Sequence, residues 1–392
     1  MNELQAILDA WRKAQDENQD TVLATVVHVT GSAYRRPGAR MLMLPDGTRL
    51  GSISGGCLEG EVSQKAWWLT EDGKPALRIY DTMSEEDIVW EFGLGCNGII
   101  QVLLERPGAG PARTAMEFMD RCRTERVDAV VCTVIRAAAE SGPQVGDRLF
   151  ALAGKTCGGT LAATPLEAAL KPYCEHTALE HRSRLVRLEN CEVFVEWVGQ
   201  PAPIVIFGAG HDAVPLVNIA KQIGWHVTVA DGRPAYAKAS RFPGADRVVH
   251  IHPDDPLGGL EIGNQTAVVL MTHNYPQDDK LLQRILPLEP RYLGILGPKV
   301  RTERLFTELG ASLECASLHA PVGLDIGADT PESIALSIAA EIQAVLSKRE
   351  GAMLKHRDNP IHAPAIEEGA ISIPDAERVR FDFGCEVTSG AS

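Results

Sequence analysis

The chain has 392 residues, with 38 Lys and Arg against 52 Asp and Glu, and a formal net charge of −14. That acidity argues against general nucleic-acid binding, which needs a basic surface to neutralise phosphates, and leaves room for no more than a local basic pocket. Hydrophobic content of 45% fits a globular protein with two or three cores, there is no run of 18 apolar residues for a membrane span, and Met-Asn-Glu-Leu-Gln is no signal peptide.

In chain order, Leu4, Ile7, Leu8 and Trp11 recur at helical spacing and predict an amphipathic helix over residues 3–15. Val22–Val29 is β-branched and reads as a buried strand. Arg40–Leu44 and Thr48–Ile53 flank Pro45-Asp46-Gly47, a hairpin signal. Leu58, Val62, Ala66 and Leu69 mark a second helix, and strand-like runs follow at 99–104, 129–135 and 193–198. Residues 1–200 are therefore expected to form an α+β domain, with a sub-break near Pro107–Pro111. Nowhere along the chain is an internal repeat visible.

After Gln200-Pro-Ala-Pro203 the pattern changes. Ile204–Phe207 reads as a short strand ending at Gly208-Ala-Gly210, then a helix through Val214, Val217 and Ala220, then a second strand closed by Asp231. Further strands fit Arg247–Ile251, Ala267–Met271 and Tyr292–Leu296. Such alternation predicts an α/β, Rossmann-like doubly wound parallel sheet over 201–348. Thr330-Pro331 opens its last helix, and 349–392 reads as a polar C-terminal extension.

Three motifs carry chemistry. Ser54-Gly55-Gly56-Cys57 sets a thiol after two glycines and before a helix, where backbone amides approach an anion and a thiol pKa falls. Gly93-Leu-Gly-Cys96-Asn-Gly98 is a second glycine-embedded cysteine. Gly31-Ser-Ala-Tyr-Arg35-Arg36-Pro-Gly38-Ala-Arg40 places three arginines in six residues, forks suited to phosphate, although an exposed, solvated turn would look the same. Together they favour an anionic, sulfur-associated ligand. The remaining cysteines read differently. Cys122, Cys132, Cys174, Cys191 and Cys315 sit among ordinary residues as small core hydrophobes, Cys157 is intermediate, and Cys385 is in the tail. No C-x-x-C pair offers a zinc site, and nine cysteines without a secretion signal point to a reducing, cytoplasmic setting. Glu59 and Glu61 flank the cysteine loop; they could act as acid or base, with surface solvation preferred.

In the second half, Gly208-x-Gly210-x-x-Ala213, the preceding strand, the following helix and Asp231 together match a dinucleotide fingerprint, with Asp231 placed for a ribose hydroxyl. His211 lies in the pyrophosphate loop and His273 at a strand end facing the same crevice. Gly297-Pro-Lys299 with Arg301 reads equally as an anion site or a solvated first helical turn. NAD(P)-dependent oxidoreduction, with His211 or His273 as proton donor, is the alternative function these residues allow.

Gly31–Arg40, Gly51–Gly60 and Gly93–Gly98, with Phe207-Gly-Ala-Gly-His211, Thr272-His273, Tyr292–Gly297 and Pro321–Pro331, together resemble the XdhC/CoxI family over residues 5–348. Asn97, Asp212 and Asn274-Tyr275 depart from its usual pattern. The resemblance implies a non-enzymatic accessory protein with no catalytic residue, which binds molybdenum cofactor (molybdopterin). It would assist sulfuration with a cysteine desulfurase and insert the cofactor into a xanthine dehydrogenase-type apo-molybdoenzyme. On that basis Arg35, Arg36, Arg40, Gly55, Gly56, Gly208, Gly210, His211, Asp231 and His273 are expected to contact the cofactor. Cys57 and Cys96 would either ligate the soft metal or relay sulfur. A homodimer with the Cys57 loop facing the Rossmann crevice is expected, with no nucleic-acid or membrane partner.

Overall fold

A computed structural model describes residues 3–31, 33–56, 58–81, 98–138, 142–252, 254–358, 366–368 and 378–379. The chain divides into two compact units, one of residues 3–200 with the C-terminal segment from 362, the other of residues 201–361.

The first unit begins with α1 (Glu3–Asp16), which buries Ile7, Leu8, Trp11 and Ala14 at helical spacing. Then come β1 (Val22–Gly31), β2 (Arg40–Met43), β3 (Arg49–Gly51), α2 (Glu59–Leu69), β4 (Ala76–Asp81) and β5 (Gly98–Glu105). β1 is buried continuously from Val22 to His28 because both faces of its sheet are covered. Its strand order is β4-β5-β1-β2-β3, antiparallel throughout. The same grammar then recurs: α3 (Gly110–Glu125), β6 (Ala129–Ala137), β7 (Arg148–Leu152), β8 (Lys155–Gly158), α4 (Pro165–Glu180), β9 (Arg184–Leu188) and β10 (Cys191–Val198). The second sheet runs β9-β10-β6-β7-β8, the same order step for step.

The absence of a visible repeat is thus corrected. Two stretches with one topology occupy 3–105 and 110–198. They share a burial pattern and a few turn glycines rather than residue identities. Val22, Ala24 and Val26 bury one face of β1 with α2, as Val130, Cys132 and Val134 bury β6 with α4. The other faces meet in shared clusters that include Leu23, Leu42, Val131 and Phe150, and Val27, Leu103, Ile135 and Phe194. Each fully buried aliphatic or aromatic side chain contributes about 1.5–3 kcal/mol.

The second unit contains β11 (Pro203–Phe207), α5 (Ala213–Gln222), β12 (His226–Asp231), β13 (Arg247–His250), β14 (Ala267–Leu270), α6 (Tyr275–Ile285), β15 (Tyr292–Ile295), α7 (Lys299–Leu309), β16 (Leu318–His319) and α8 (Pro331–Leu346). All strands are parallel in the order β13-β12-β11-β14-β15-β16, the doubly wound arrangement. The order reverses between β11 and β14, which puts the ligand crevice at their carboxyl ends. Thr330 and Ser333 form a reciprocal capping box on α8.

Two short C-terminal strands return to the first unit. β17 (Ile366–Glu368) pairs in parallel with β9, and β18 (Arg378–Val379) with β4. Glu368 meets Arg184 at 2.6 Å, and Glu367 approaches His28 at 3.1 Å. No helix among the described residues is long and apolar enough to cross a membrane.

Candidate functional site

The loop between β3 and α2 is built around one carboxylate. Gly51 sits at φ +84°, and a Cβ there would stand 2.3 Å from the Arg40 carbonyl oxygen, so only glycine lets the loop leave β3 this way. Glu59, in the first turn of α2, then turns back into the loop. Its carboxylate accepts hydrogen bonds from the Ser52 hydroxyl (2.6 Å) and from the amides of Ile53 (3.0 Å), Ser54 (2.9 Å), Gly55 (3.2 Å) and Gly56 (2.9 Å). The Ser54 hydroxyl also donates to it and accepts from the Leu58 amide. Glu59 is 8% exposed. Burial alone would raise its pKa, but the hydrogen bonds from Ser52, Ser54 and Gly55 prevail and hold it well below the usual 4.5.

This corrects the expectation of a solvated Glu59. It also changes the anion argument, since the loop amides expected to receive a phosphate already receive an internal carboxylate. Glu61 is more exposed and pairs with Lys65 at 2.9 Å.

The arginine turn lies against this loop. Arg35 pairs with one oxygen of Glu3, whose other oxygen accepts from the Ser52 amide at 2.8 Å. The Tyr34 ring covers Gly55, where a Cβ would come within 2.8 Å of it, and yet Tyr34 remains 70% exposed. Arg36 is exposed on the same turn. Glu3, Tyr34 and Gly55 therefore join the two motifs into one surface. The sequence motifs do not single out Tyr34 or Glu3, and they offer Glu59 only as an acid or base or a solvated side chain; the spacing Gly55–Glu59 is the one signal of its role in the loop.

Arg40 does not belong to that surface. It is 8% exposed and makes a two-pronged pair with Glu196, 2.8 Å from Nη1 to Oε1, while also donating to the Gly38 carbonyl. Its expected cofactor contact is replaced by a buried ion pair. Cys57 and Cys96, and with them the expected metal ligands, lie outside the described residues. Among the described residues no group of three or more His, Cys, Asp or Glu is arranged to hold a metal ion. Cys122, Cys132, Cys174 and Cys191 are buried and Cys157 is exposed.

In the second unit, Gly208 at φ +114° lets β11 run close to β14; a Cβ would stand 2.3 Å from the Met271 carbonyl oxygen. Asp212 leans over the glycine loop, its Oδ1 2.3 Å from where a Gly210 Cβ would be. Asp212 Oδ2 lies 2.7 Å from Nε2 of His273, which itself holds a positive φ of 54°. This pair spans the crevice at the switch between β11 and β14. His211 is exposed beside it, and the partner of His273 is Asp212 rather than His211, so the two histidines are not brought together as a pair.

Asp231 is also committed. It is 2% exposed and accepts from the Ala209 amide (2.7 Å), the Arg233 amide (2.8 Å) and the Arg233 guanidinium (2.7 and 2.9 Å). Burial opposes its ionisation, and the Arg233 and Ala209 hydrogen bonds outweigh it, so its pKa is lowered. Arg301, at the start of α7, pairs with buried Asp278 at 2.7 Å.

Residues 204–342 match the XdhC Rossmann domain, and residues 14–81 match the XdhC and CoxI family. The chain is 35% identical to a probable xanthine dehydrogenase component of Bacillus subtilis over 87% of its length and 97% of that protein. It is 25% identical to the molybdenum cofactor insertion chaperone PaoD of Escherichia coli, over 84% of each chain. In structure it is similar to a xanthine dehydrogenase from Bacillus halodurans, with a TM-score of 0.73 and 32% identity, covering 89% of this chain and 97% of the other. Signature residues in both units and a relative matched along nearly its whole length lead to one assignment: the chain belongs to the XdhC and CoxI family.

Proposed function

We propose that this protein is an accessory factor for a molybdoenzyme of the xanthine dehydrogenase type, which holds molybdenum cofactor as cargo and passes it on rather than turning over a substrate. The observation that carries this is the meeting of the arginine turn with the glycine loop through Glu3 and through the Tyr34 ring on Gly55. An exposed aromatic face beside Arg35 and Arg36 suits a planar pterin with a dianionic phosphate. Cys57, following this loop in sequence, brings a thiolate for a soft metal or for a sulfur relay. Similarity to the insertion chaperone PaoD supports the hand-off. A cysteine desulfurase as sulfur donor, a cytoplasmic setting and a twofold homodimer complete the proposal.

Two features weigh against a dinucleotide-dependent oxidoreductase. The Asp212 carboxylate overlies Gly210, where a pyrophosphate would rest, and Asp231 is already bonded to Arg233. A carboxylate there repels a phosphate.

The test is anaerobic purification from a host that makes the cofactor, followed by oxidation to the fluorescent pterin product and by mixing with apo-molybdoenzyme. Copurified pterin that restores the enzyme is expected. Its absence at any stoichiometry would overturn the proposal.

A further inference from the structure

The two stretches of the first unit agree far beyond strand order. An offset of 108 residues carries the pair Val22↔Met43 onto Val130↔Ala151, and Thr25↔Arg40 onto Thr133↔Arg148. Each first strand carries a one-residue bulge, at Val27 and at Ile135, between equivalent pairs of its ladder. Gly38 and Gly146 have φ of +96° and +93°, and each offers its carbonyl to the arginine two residues on. At Gly51 and at Gly159 a Cβ would meet the backbone oxygen of Arg40 and of Arg148, both at 2.3 Å. Glu167 accepts from the Ala163 amide as Glu59 does from Gly55.

The ion pairs between the copies are exchanged. Arg40 of the first pairs with Glu196 of the second, and Arg148 of the second with Glu105 of the first, at equivalent strand positions. All four side chains are buried around a cavity of about 20 Å³, room for one water. Reciprocal contacts of this kind, i with j and j with i, are the signature of an isologous twofold interface.

We propose that residues 3–198 are a fused ancestral homodimer in which only the first copy keeps a binding loop, so that this unit contacts its ligand through positions whose groups the second copy has lost. Gly38, Arg40, Gly51, Leu58 and Glu59 have identical counterparts in Gly146, Arg148, Gly159, Leu166 and Glu167, and these shape the fold in both copies. Tyr34, Arg35 and Arg36 correspond to Gly142, Pro143 and Gln144, while Gly55 and Gly56 correspond to Ala163 and Thr164. The lost groups are an exposed ring and the two guanidiniums beside it, which together recognise a planar heteroaromatic anion. The identity of that ligand as a pterin rests on the proposed function.

The test uses the full chain. Tyr34→Gly with Arg36→Gln, which gives the first copy the residues of the second, should lower copurified pterin more than tenfold and move the melting temperature by less than about 4 °C. Gln144→Ala with Ala163→Gly, at the second-copy equivalents of Arg36 and Gly55, should leave pterin unchanged. Equal losses from both variants would overturn the assignment. Arg40→Met and Arg148→Met should lower the melting temperature alike, by about 10 °C, because each strands a buried carboxylate. Arg40→Met with Glu196→Leu should recover stability and still carry pterin. If the unaltered chain carries no pterin, the proposed function fails, and the duplication is judged on the arginine variants; unequal losses there would overturn it.

Discussion

The Glu59 carboxylate lies 2.9 Å from the amide nitrogen of Gly56, so the residue that opens α2 also holds the turn three residues before it. Glu59→Gln keeps the shape and removes the charge. A loss of about 1–3 kcal/mol is expected, as for a charge-assisted buried network made incomplete. The folded pKa of Glu59 lies below its unfolded value near 4.5, so the unfolded chain takes up its proton first as pH falls. Its contribution is therefore full above about pH 5 and is lost as pH drops below that. Urea midpoints of wild type and Glu59→Gln should differ most near pH 6 and converge toward pH 3; a constant gap would contradict this.

The Asp212–His273 pair makes a prediction for the second unit. With a carboxylate over the glycine loop and Asp231 held by Arg233, titration with NAD, NADH or NADPH should give no signal at micromolar concentrations. Micromolar binding of any of them would restore the oxidoreductase alternative.

At the C-terminus, Glu368 is one of two carboxylates on Arg184, a guanidinium 4% exposed in its side chain. Glu368→Gln should destabilise the first unit by about 1–3 kcal/mol while leaving unfolding of the second unchanged. Calorimetry resolving the units separates this from a uniform loss, which would count against the role of β17.

The Rossmann order was readable because its cues are local: a buried strand, Gly208 and Gly210, then a helix and Asp231. The duplication was not, because burial tolerates many apolar substitutions. Val26 and Val134 match, but Met41 stands for Leu149 and Ala66 for Cys174. What the copies share exactly in kind, Gly38 with Gly146 and Arg40 with Arg148, are isolated residues whose meaning depends on a partner strand 156 or 43 residues away. The same distance hid the fate of Arg40. Three arginines in one turn look alike in sequence, and only the fold separates the buried one from the two beside Tyr34. The inward turn of Glu59 is not legible in the sequence, because a Glu beside glycines has no periodicity to reveal it.

The most direct measurement is pterin content per chain, with melting temperature, for wild type and Cys57→Ser after anaerobic purification. Cofactor is expected on the wild type, with its loss from Cys57→Ser while melting stays within about 4 °C, and a weaker loss from Cys96→Ser. A Cys57→Ser protein that melts much lower yet keeps its pterin would contradict the proposed role of this thiol, and a wild type that carries none would contradict cofactor binding itself.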